Sequence, residues 1–350
     1  MTKAEQSIQS VCVLGVGQMG LVCAGILCAP EHPDREPPEV TMWGHDPDER
    51  ARIAQLRRSD RLPQFVLPQA VRVAMSDEEA LADADLIVSA IPVQVTRSAW
   101  QRLREHISPT ARVVSVAKGI ENETLLRPTQ VIAEALGDDP DAPPRPIGVL
   151  SGPTIAAELA RCLPATMTMA SDDPRFAEQI QRLFTTSWMR IYTNPDVLGV
   201  ELAGAAKNVI AIAAGILDGL QAGFNAKSAL LARGLAEIAR LGLSMGASNE
   251  TFFGIAGVGD LATTCFSPLG RNRSCGEALG KGEKLEEYLA RSLCVVEGVA
   301  TTKSVMDLAR KYRVEMPITG AVHAVLFEGL DPLEAITRLM SRELKGEVTG

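Results

Sequence analysis

Two lysines, one aspartate and an arginine pair stand out in this chain as residues whose surroundings could do chemistry. Lys207 and Asn208 lie in Val197 to Leu217, an apolar helical pattern whose only other strongly polar position is Glu201. On such a helix Lys207 shares its face with Ala203, Gly204, Ala211 and Ala214, small side chains that leave room for a ligand. Burial lowers a lysine pKa and a neighbouring cation lowers it further, which would make Lys207 a proton carrier near neutral pH. The alternative is an ammonium that snorkels to the helix edge. Lys118 follows a strand pattern and precedes Gly119. Open α/β sheets bind ligands at that place; the alternative is a solvated loop lysine. Asp260 ends the glycine-rich turn Gly254-Ile-Ala-Gly-Val-Gly. It either caps a helix starting at Leu261, or takes a hydrogen bond from a substrate hydroxyl or orients a lysine.

Two further stretches carry polar groups suited to an anion. In Ser151-Gly-Pro-Thr154, Gly152 keeps a turn open and Thr154 has the chemistry of a helix cap. Backbone N–H groups there could also hold an oxygen-rich ligand. Arg271-Asn272-Arg273 precedes the helical Ser274 to Leu279. Two arginines at a helix start oppose the macrodipole unless an anion sits with them. Solvated arginines are the other reading.

These residues need a scaffold, and the N-terminal half supplies its pattern. Val11 to Leu14 reads as a buried strand, Leu21 to Ala29 as a helix, and Gly15, Gly17 and Gly20 join them at the spacing G-x-G-x-x-G. In that context the first glycine allows a tight turn and the second a close approach of backbone to a pyrophosphate. The third allows tight packing of helix on strand. Four glycines and Gln18 inside the apolar run, with no A-x-A-like site after it, argue against an export signal. Further strands are expected at 39–43, 71–74, 85–90, 112–117, 147–150, 165–170 and 189–193, with helices at 51–57, around Trp100 and at 125–136. Alternating strands and helices predict a parallel, doubly wound sheet. His32 to Pro38, rich in proline and charge, reads as a surface insertion. After Asn194-Pro195 only helical patterns follow, at 197–217, 226–243, 284–290, 299–310, 318–327 and 332–340. The boundary is therefore expected at 195: a Rossmann-type dinucleotide domain over 1–195 and an all-helical substrate domain over 196–350.

Composition narrows the function classes. The chain has 350 residues, 46% hydrophobic, with 43 acidic against 35 basic side chains and a net charge of -8. That balance gives no support to nucleic-acid or membrane-surface partners. Three polar residues in the middle of 197–217 count against a membrane span. Seven cysteines form no C-x-x-C pair and read as reduced thiols of a cytoplasmic protein. Four scattered histidines offer no metal-ligand spacing, so no metal is expected.

Taken together, the chain resembles the bacterial-type NAD(P)-dependent glycerol-3-phosphate dehydrogenases. The markers are G-V-G-Q-M-G at 15–20, W-G-H-D-P at 43–47, V-A-K-G at 116–119 and S-G-P-T at 151–154. They continue with K-N-V-I-A-I at 207–212, G-V-G-D-L at 257–261, R-N-R at 271–273 and V-V-E-G at 295–298. The resemblance implies a C-terminal domain like that of 6-phosphogluconate dehydrogenase. It implies reversible hydride transfer between the small molecules glycerol 3-phosphate and dihydroxyacetone phosphate, supplying glycerol 3-phosphate for phospholipid synthesis; a homodimer is a candidate assembly that the sequence does not decide. It makes Lys207 the proton acceptor, with Lys118 and Asp260 beside it in catalysis. Substrate would meet Lys118, Gly152, Thr154, Lys207, Asp260, Gly270, Arg271 and Asn272. Cofactor would meet Gly15, Gly17, Gln18, Met19, Gly20, His45, Lys118, Ala156, Arg271, Val295 and Glu297. The chain departs from the family pattern at Gln18-Met19, where Ser and an aromatic are usual, and at Gly270, where Ser is usual. His45 matches the adenosine-phosphate position, while Asp46 before Pro47 reads as a helix cap. Use of NADP or NAD is therefore expected, with NADPH preferred and the preference growing as His45 protonates. A dehydrogenase of a small β-hydroxyacid and a non-catalytic dinucleotide sensor are the competing readings.

Overall fold

A computed structural model of the chain describes residues 7–29, 36–138, 142–292, 294–344 and 346. Of the expected insertion at 32–38, only Glu36, Pro37 and Pro38 fall among the described residues. Eight strands form one sheet: β1 (Ser10–Leu14), β2 (Glu39–Trp43), β3 (Val71–Val73), β4 (Leu86–Ser89), β5 (Arg112–Ser115), β6 (Ile147–Ser151), β7 (Ala165–Ser171) and β8 (Met189–Asn194). Their order is β3-β2-β1-β4-β5-β6-β7-β8. The connections reverse direction across the sheet on either side of β1, which pairs with β2 and β4. A crevice opens beyond the carboxyl ends of strands at such a switch point. Val11 to Leu14 are buried on both faces, as helices on both sides of a parallel sheet require. Those helices are α1 (Gln18–Leu27), α2 (Pro47–Leu56), α3 (Asp77–Leu81), α4 (Val93–Leu103), α5 (Pro128–Leu136), α6 (Ala156–Leu159) and α7 (Pro174–Phe184).

The sheet is not wholly parallel: β7 runs antiparallel to β6, with Leu150 opposite Met169, and β8 is parallel to β7. The connection through the single turn of α6 is too short for a full crossover, so the chain returns in the opposite direction. The starts of β7 and β8 thereby reach the rim where β1, β4, β5 and β6 end. A second correction concerns α5, which begins at Pro128 and not at Leu125. Glu123 and Leu125 have positive φ, and Arg127 caps the helix with Pro128 at its first position.

The described residues after Asn194 contain no strand. They form α8 (Val197–Gly219), α9 (Gly223–Met245), α10 (Asn249–Phe253), a π-helical turn at Ile255–Gly259, α11 (Asp260–Phe266), α12 (Arg271–Gly280), α13 (Leu285–Arg291), α14 (Glu297–Tyr312), α15 (Pro317–Phe327) and α16 (Pro332–Met340). α8 is long and apolar enough to cross a membrane by length and composition, but 94% of that window is buried inside the fold. It is the central helix of the second core, which also takes Leu261, Cys275, Val305 and Leu308 from its neighbours. α12 lies so close to α8 that a Cβ on Gly276 would stand 1.9 Å from the Ile212 carbonyl oxygen. That approach fixes the start of α12 relative to the polar residues of α8.

The helical part is locked to the sheet part by a buried carboxylate. Glu201 of α8 accepts hydrogen bonds from the Thr129 N–H at 2.8 Å, the Thr129 hydroxyl at 2.7 Å and Arg127 Nη1 at 2.5 Å. It therefore supplies negative charge to the N-terminus of α5. Ser304 of α14 adds a hydrogen bond to the Ile120 carbonyl.

Candidate active site

The centre of the site is Asp260, which is 1% exposed. Its Oδ2 takes a hydrogen bond from Lys118 Nζ at 2.7 Å, and its Oδ1 one from Lys207 Nζ at 2.5 Å. Three elements converge here: the carboxyl end of β5 brings Lys118, α8 brings Lys207, and the start of α11 brings Asp260. Asp260 does not cap α11; Gly259 holds the cap position and the carboxylate is spent on the two lysines. Lys118 also donates to the Gly152 carbonyl at 2.8 Å and to Thr154 Oγ1 at 3.3 Å. Thr154 is likewise no cap, since Ile155 precedes α6 and the threonine hydroxyl bonds the Gly152 carbonyl. Lys207, with a side chain 7% exposed, donates to Thr264 Oγ1 at 2.5 Å as well. Burial pulls the Lys207 ammonium down to about 8; Asp260 opposes that fall and Lys118 adds to it. Two ammonium groups against one carboxylate leave a net positive centre. Such a centre can stabilise a developing oxyanion and exchange a proton with it.

The second group of site residues gathers around the start of α12. Arg271 to Arg273 lie within the helix rather than before it. Gly270 stands at its cap position and gives no side-chain hydrogen bond, and no acid occupies the first turn. Arg271 is exposed and donates from Nη1 to the Val295 carbonyl at 3.1 Å. Asn272 is buried, and both ends of its carboxamide are hydrogen-bonded within the fold. Its Nδ2 donates to Asn208 Oδ1 at 2.9 Å, and its Oδ1 accepts from the Gly298 N–H at 2.9 Å. Its side chain thus ties α8, α12 and α14 together, and its group for a ligand is the backbone N–H. Glu297 opens α14 beside Gly119, whose Cβ would lie 3.5 Å from Glu297 Oε2. Loss of surrounding water pushes the Glu297 carboxyl up to about 7, with Arg271 opposing the rise.

The glycine loop shapes the third group. Gly15 has φ 116°, and a Cβ on Gly20 would collide with the Gly15 carbonyl oxygen at 1.8 Å. These two positions require glycine for the fold itself. Gly17 does not, because a Cβ there would meet nothing within 4 Å. Open space over Gly17 and the uncapped start of α1 fit a pyrophosphate. Gln18 donates Nε2 to the Arg61 carbonyl at 2.7 Å. Met19 packs against the sheet core, and Ala156 is buried within that core at the start of α6. His45 is exposed after β2. Asp46 caps α2, its Oδ1 accepting from the Asp48 N–H at 2.9 Å and the Glu49 N–H at 3.3 Å. Among the described residues, no group of His, Cys, Asp and Glu could hold a metal.

Sequence reasoning passed over Thr264 and left Asn208 without a partner. Thr264 had a signal: it lies one helical turn after Asp260, so both face the same way. The Asn208 to Asn272 bond had none, because it joins helices far apart in the chain.

A doubly wound sheet with a pyrophosphate-ready glycine loop, closed by helices that complete a Lys-Asp-Lys centre, defines a nicotinamide dinucleotide-dependent dehydrogenase. Within that class, the N-terminal description of NAD-dependent glycerol-3-phosphate dehydrogenase fits residues 10–177, and the C-terminal one fits residues 196–337. The chain belongs to this family. It is 44% identical over 336 residues to a glycerol-3-phosphate dehydrogenase [NAD(P)+] of Bacillus pumilus, covering 96% of this chain and 95% of that one. A protein of the same name from Geobacter sulfurreducens is 44% identical over 340 residues, covering 96% and 98%. The crystal structure of a Coxiella burnetii glycerol-3-phosphate dehydrogenase superposes with a TM-score of 0.89 at 33% identity, covering 96% and 99%. These likenesses favour the glycerol-3-phosphate reading over the β-hydroxyacid alternative.

Proposed function

We propose that this chain catalyses reversible hydride transfer between sn-glycerol 3-phosphate and dihydroxyacetone phosphate with NADPH or NADH. In a cell it would supply glycerol 3-phosphate for phospholipid synthesis. The observation that carries the reading is the bridge of Asp260 between Lys118 and Lys207. Bound NAD(P)H supplies a hydride to the carbonyl carbon of dihydroxyacetone phosphate. The chain's own groups handle the charge and the proton. As the carbon becomes tetrahedral, its oxygen gathers negative charge that the two ammonium groups stabilise. Lys207 Nζ gives that oxygen a proton; in the reverse direction the neutral amine takes it back. Thr264 and Asp260 hold Nζ in place. Arg271 and the uncapped start of α12 suit the substrate phosphate. Dihydroxyacetone phosphate that failed to bring about oxidation of NADPH or NADH would sink the reading.

Two consequences can be measured directly. Reduction needs the Lys207 ammonium, which is lost as pH rises through about 8. Oxidation needs the neutral amine, which appears over the same range. kcat/KM for dihydroxyacetone phosphate should fall across that range and kcat/KM for glycerol 3-phosphate should rise. Flat profiles in both directions would remove Lys207 as the proton carrier. Arg271→Ala should raise KM for dihydroxyacetone phosphate by about ten-fold or more, because a remote phosphate grip supplies binding and orientation. Unchanged affinity for both substrate and dinucleotide would end that assignment.

The seven unpaired cysteines support a reducing, cytoplasmic setting. A homodimer is the candidate assembly, and a monomer in sedimentation velocity would remove it.

A further inference from the structure

We infer that Arg61, seconded by Arg52, accepts the 2′-phosphate of NADPH and so sets the preference of this chain between the two nicotinamide cofactors. The inference rests on the dinucleotide reading of the glycine loop. A cavity of about 350 Å³ is lined by Asp46, Asp48, Glu49, Arg52, Asp60 and Arg61. It lies at the carboxyl end of β2, where folds of this kind place the adenosine ribose. Gln18, the first residue of α1, holds the Arg61 backbone through its carbonyl. The segment that carries the arginine is therefore tied to the dinucleotide loop itself.

The geometry of Arg61 suits an anion. Glu49, largely buried, grips its guanidinium from one side: Nε donates to Oε1 at 2.9 Å and Nη2 to Oε2 at 3.2 Å. Nη1 has no hydrogen-bond partner among the described residues, and the side chain remains 36% exposed. Arginine has five donors in a rigid fork, so one carboxylate can orient it while another anion takes the free edge. Arg52 is held differently. Its pairing with Asp60 spans 3.1 Å between side chains that are 50% and 76% exposed. Exposed pairs of this kind are weak, so Arg52 can turn to a phosphate at little cost.

The acid that could bind the ribose hydroxyl of NADH is Asp46. Its Oδ1 accepts from the first N–H groups of α2 and its Oδ2 remains for a hydroxyl, so NADH binding does not depend on Arg61. The four carboxylates around the cavity would repel a phosphate if the two arginines were absent. Removing Arg61 should therefore act on NADPH and leave NADH alone.

The test is equilibrium binding to the whole enzyme by titration calorimetry, with NADPH, NADH, adenosine 2′,5′-bisphosphate and 5′-AMP. Arg61→Ala should weaken NADPH and the bisphosphate by roughly 10- to 100-fold, since charge-assisted bonds to phosphate are among the stronger ones. NADH and 5′-AMP should change by less than about two-fold, because they carry no 2′-phosphate for the arginine to meet. Arg61→Lys should recover part of the loss, and Arg52→Ala should give a smaller loss confined to the same two ligands. Equal weakening of NADPH and NADH would overturn the inference, leaving Arg61 a prop for its loop. Unchanged NADPH binding would overturn it too. If Arg61→Ala did not fold, Arg61→Lys and Arg52→Ala would decide by the same comparison. A wild-type enzyme that bound neither dinucleotide would defeat the cofactor reading itself, which is a different failure.

Discussion

Lys207→Ala should lower turnover by about a hundred-fold or more in both directions while dinucleotide binding is kept. Hydride arrival at a carbonyl leaves an alkoxide, and water in a closed site is a poor proton donor at neutral pH. Lys207 is placed to donate: its Nζ is buried, held by Asp260 and Thr264, and has its pKa drawn down to about 8. The loss should appear in kcat, since the interaction matters most when charge develops. A small exogenous primary amine should restore part of the activity if a proton carrier is what is missing. Near wild-type turnover in the alanine variant would show that another group moves the proton. Lys118 would then be next to test, because its Nζ binds the other oxygen of the same aspartate.

Asp260→Asn should have a comparable effect by a different route. The carboxylate neutralises one of two neighbouring ammonium groups, and asparagine of nearly the same shape removes only the charge. Breaking a buried ion pair from one side costs about 3 to 5 kcal/mol when the remaining charge stays unpaired. Here the enzyme has a cheaper outlet, which is loss of a proton from a lysine. Asp260 is the group that raises the Lys207 pKa; burial and Lys118 both lower it. Without the carboxylate, Lys207 should lose its proton below pH 8. The break in the reductive pH profile should move to lower pH, and reduction near pH 7.5 should fall by roughly ten- to a hundred-fold. Parallel profiles in the variant and the wild type would show that Asp260 serves only packing. A matching fall in thermal stability at neutral pH, eased at higher pH where Lys207 is neutral, would support the charge account.

Much of this centre was legible in the chain before any tertiary contact was known. A lysine in the middle of an apolar helix is conspicuous because burying an ammonium is costly, and Lys207 stood out on that ground. The glycine loop was legible because a strand, three glycines and a helix are one local unit. Gly20 is required by the Gly15 carbonyl five positions earlier and Gly15 by its own positive φ, both local, although Gly15 also lies against the Ala90 carbonyl of the neighbouring strand. Asp46 could be read as a cap because capping is also local, and its hydrogen bonds go to residues two and three positions on.

The roles of Asp260 and Thr154 were open for the opposite reason. Each has a side chain that can cap a helix, and each precedes or begins one, so the local sequence favours a cap as readily as a site. Only the fold decides, by bringing Lys118 from the end of β5 and Lys207 from α8 within hydrogen-bond reach of the Asp260 carboxylate. Asn272 shows the same limit. Its neighbours suggested an anion site, but its carboxamide bonds Asn208 and Gly298, which lie on other helices. The antiparallel turn of β7 was equally unreadable, since a strand's pattern of apolar residues is the same in either direction. By itself, then, the sequence determined the periodic elements, the caps close to their own helices, and the residues whose burial would need a reason. Tertiary structure decided which of those residues face one another. An ion pair has no local signature: its energy depends on a separation of a few ångströms between groups that the chain places up to 142 positions apart.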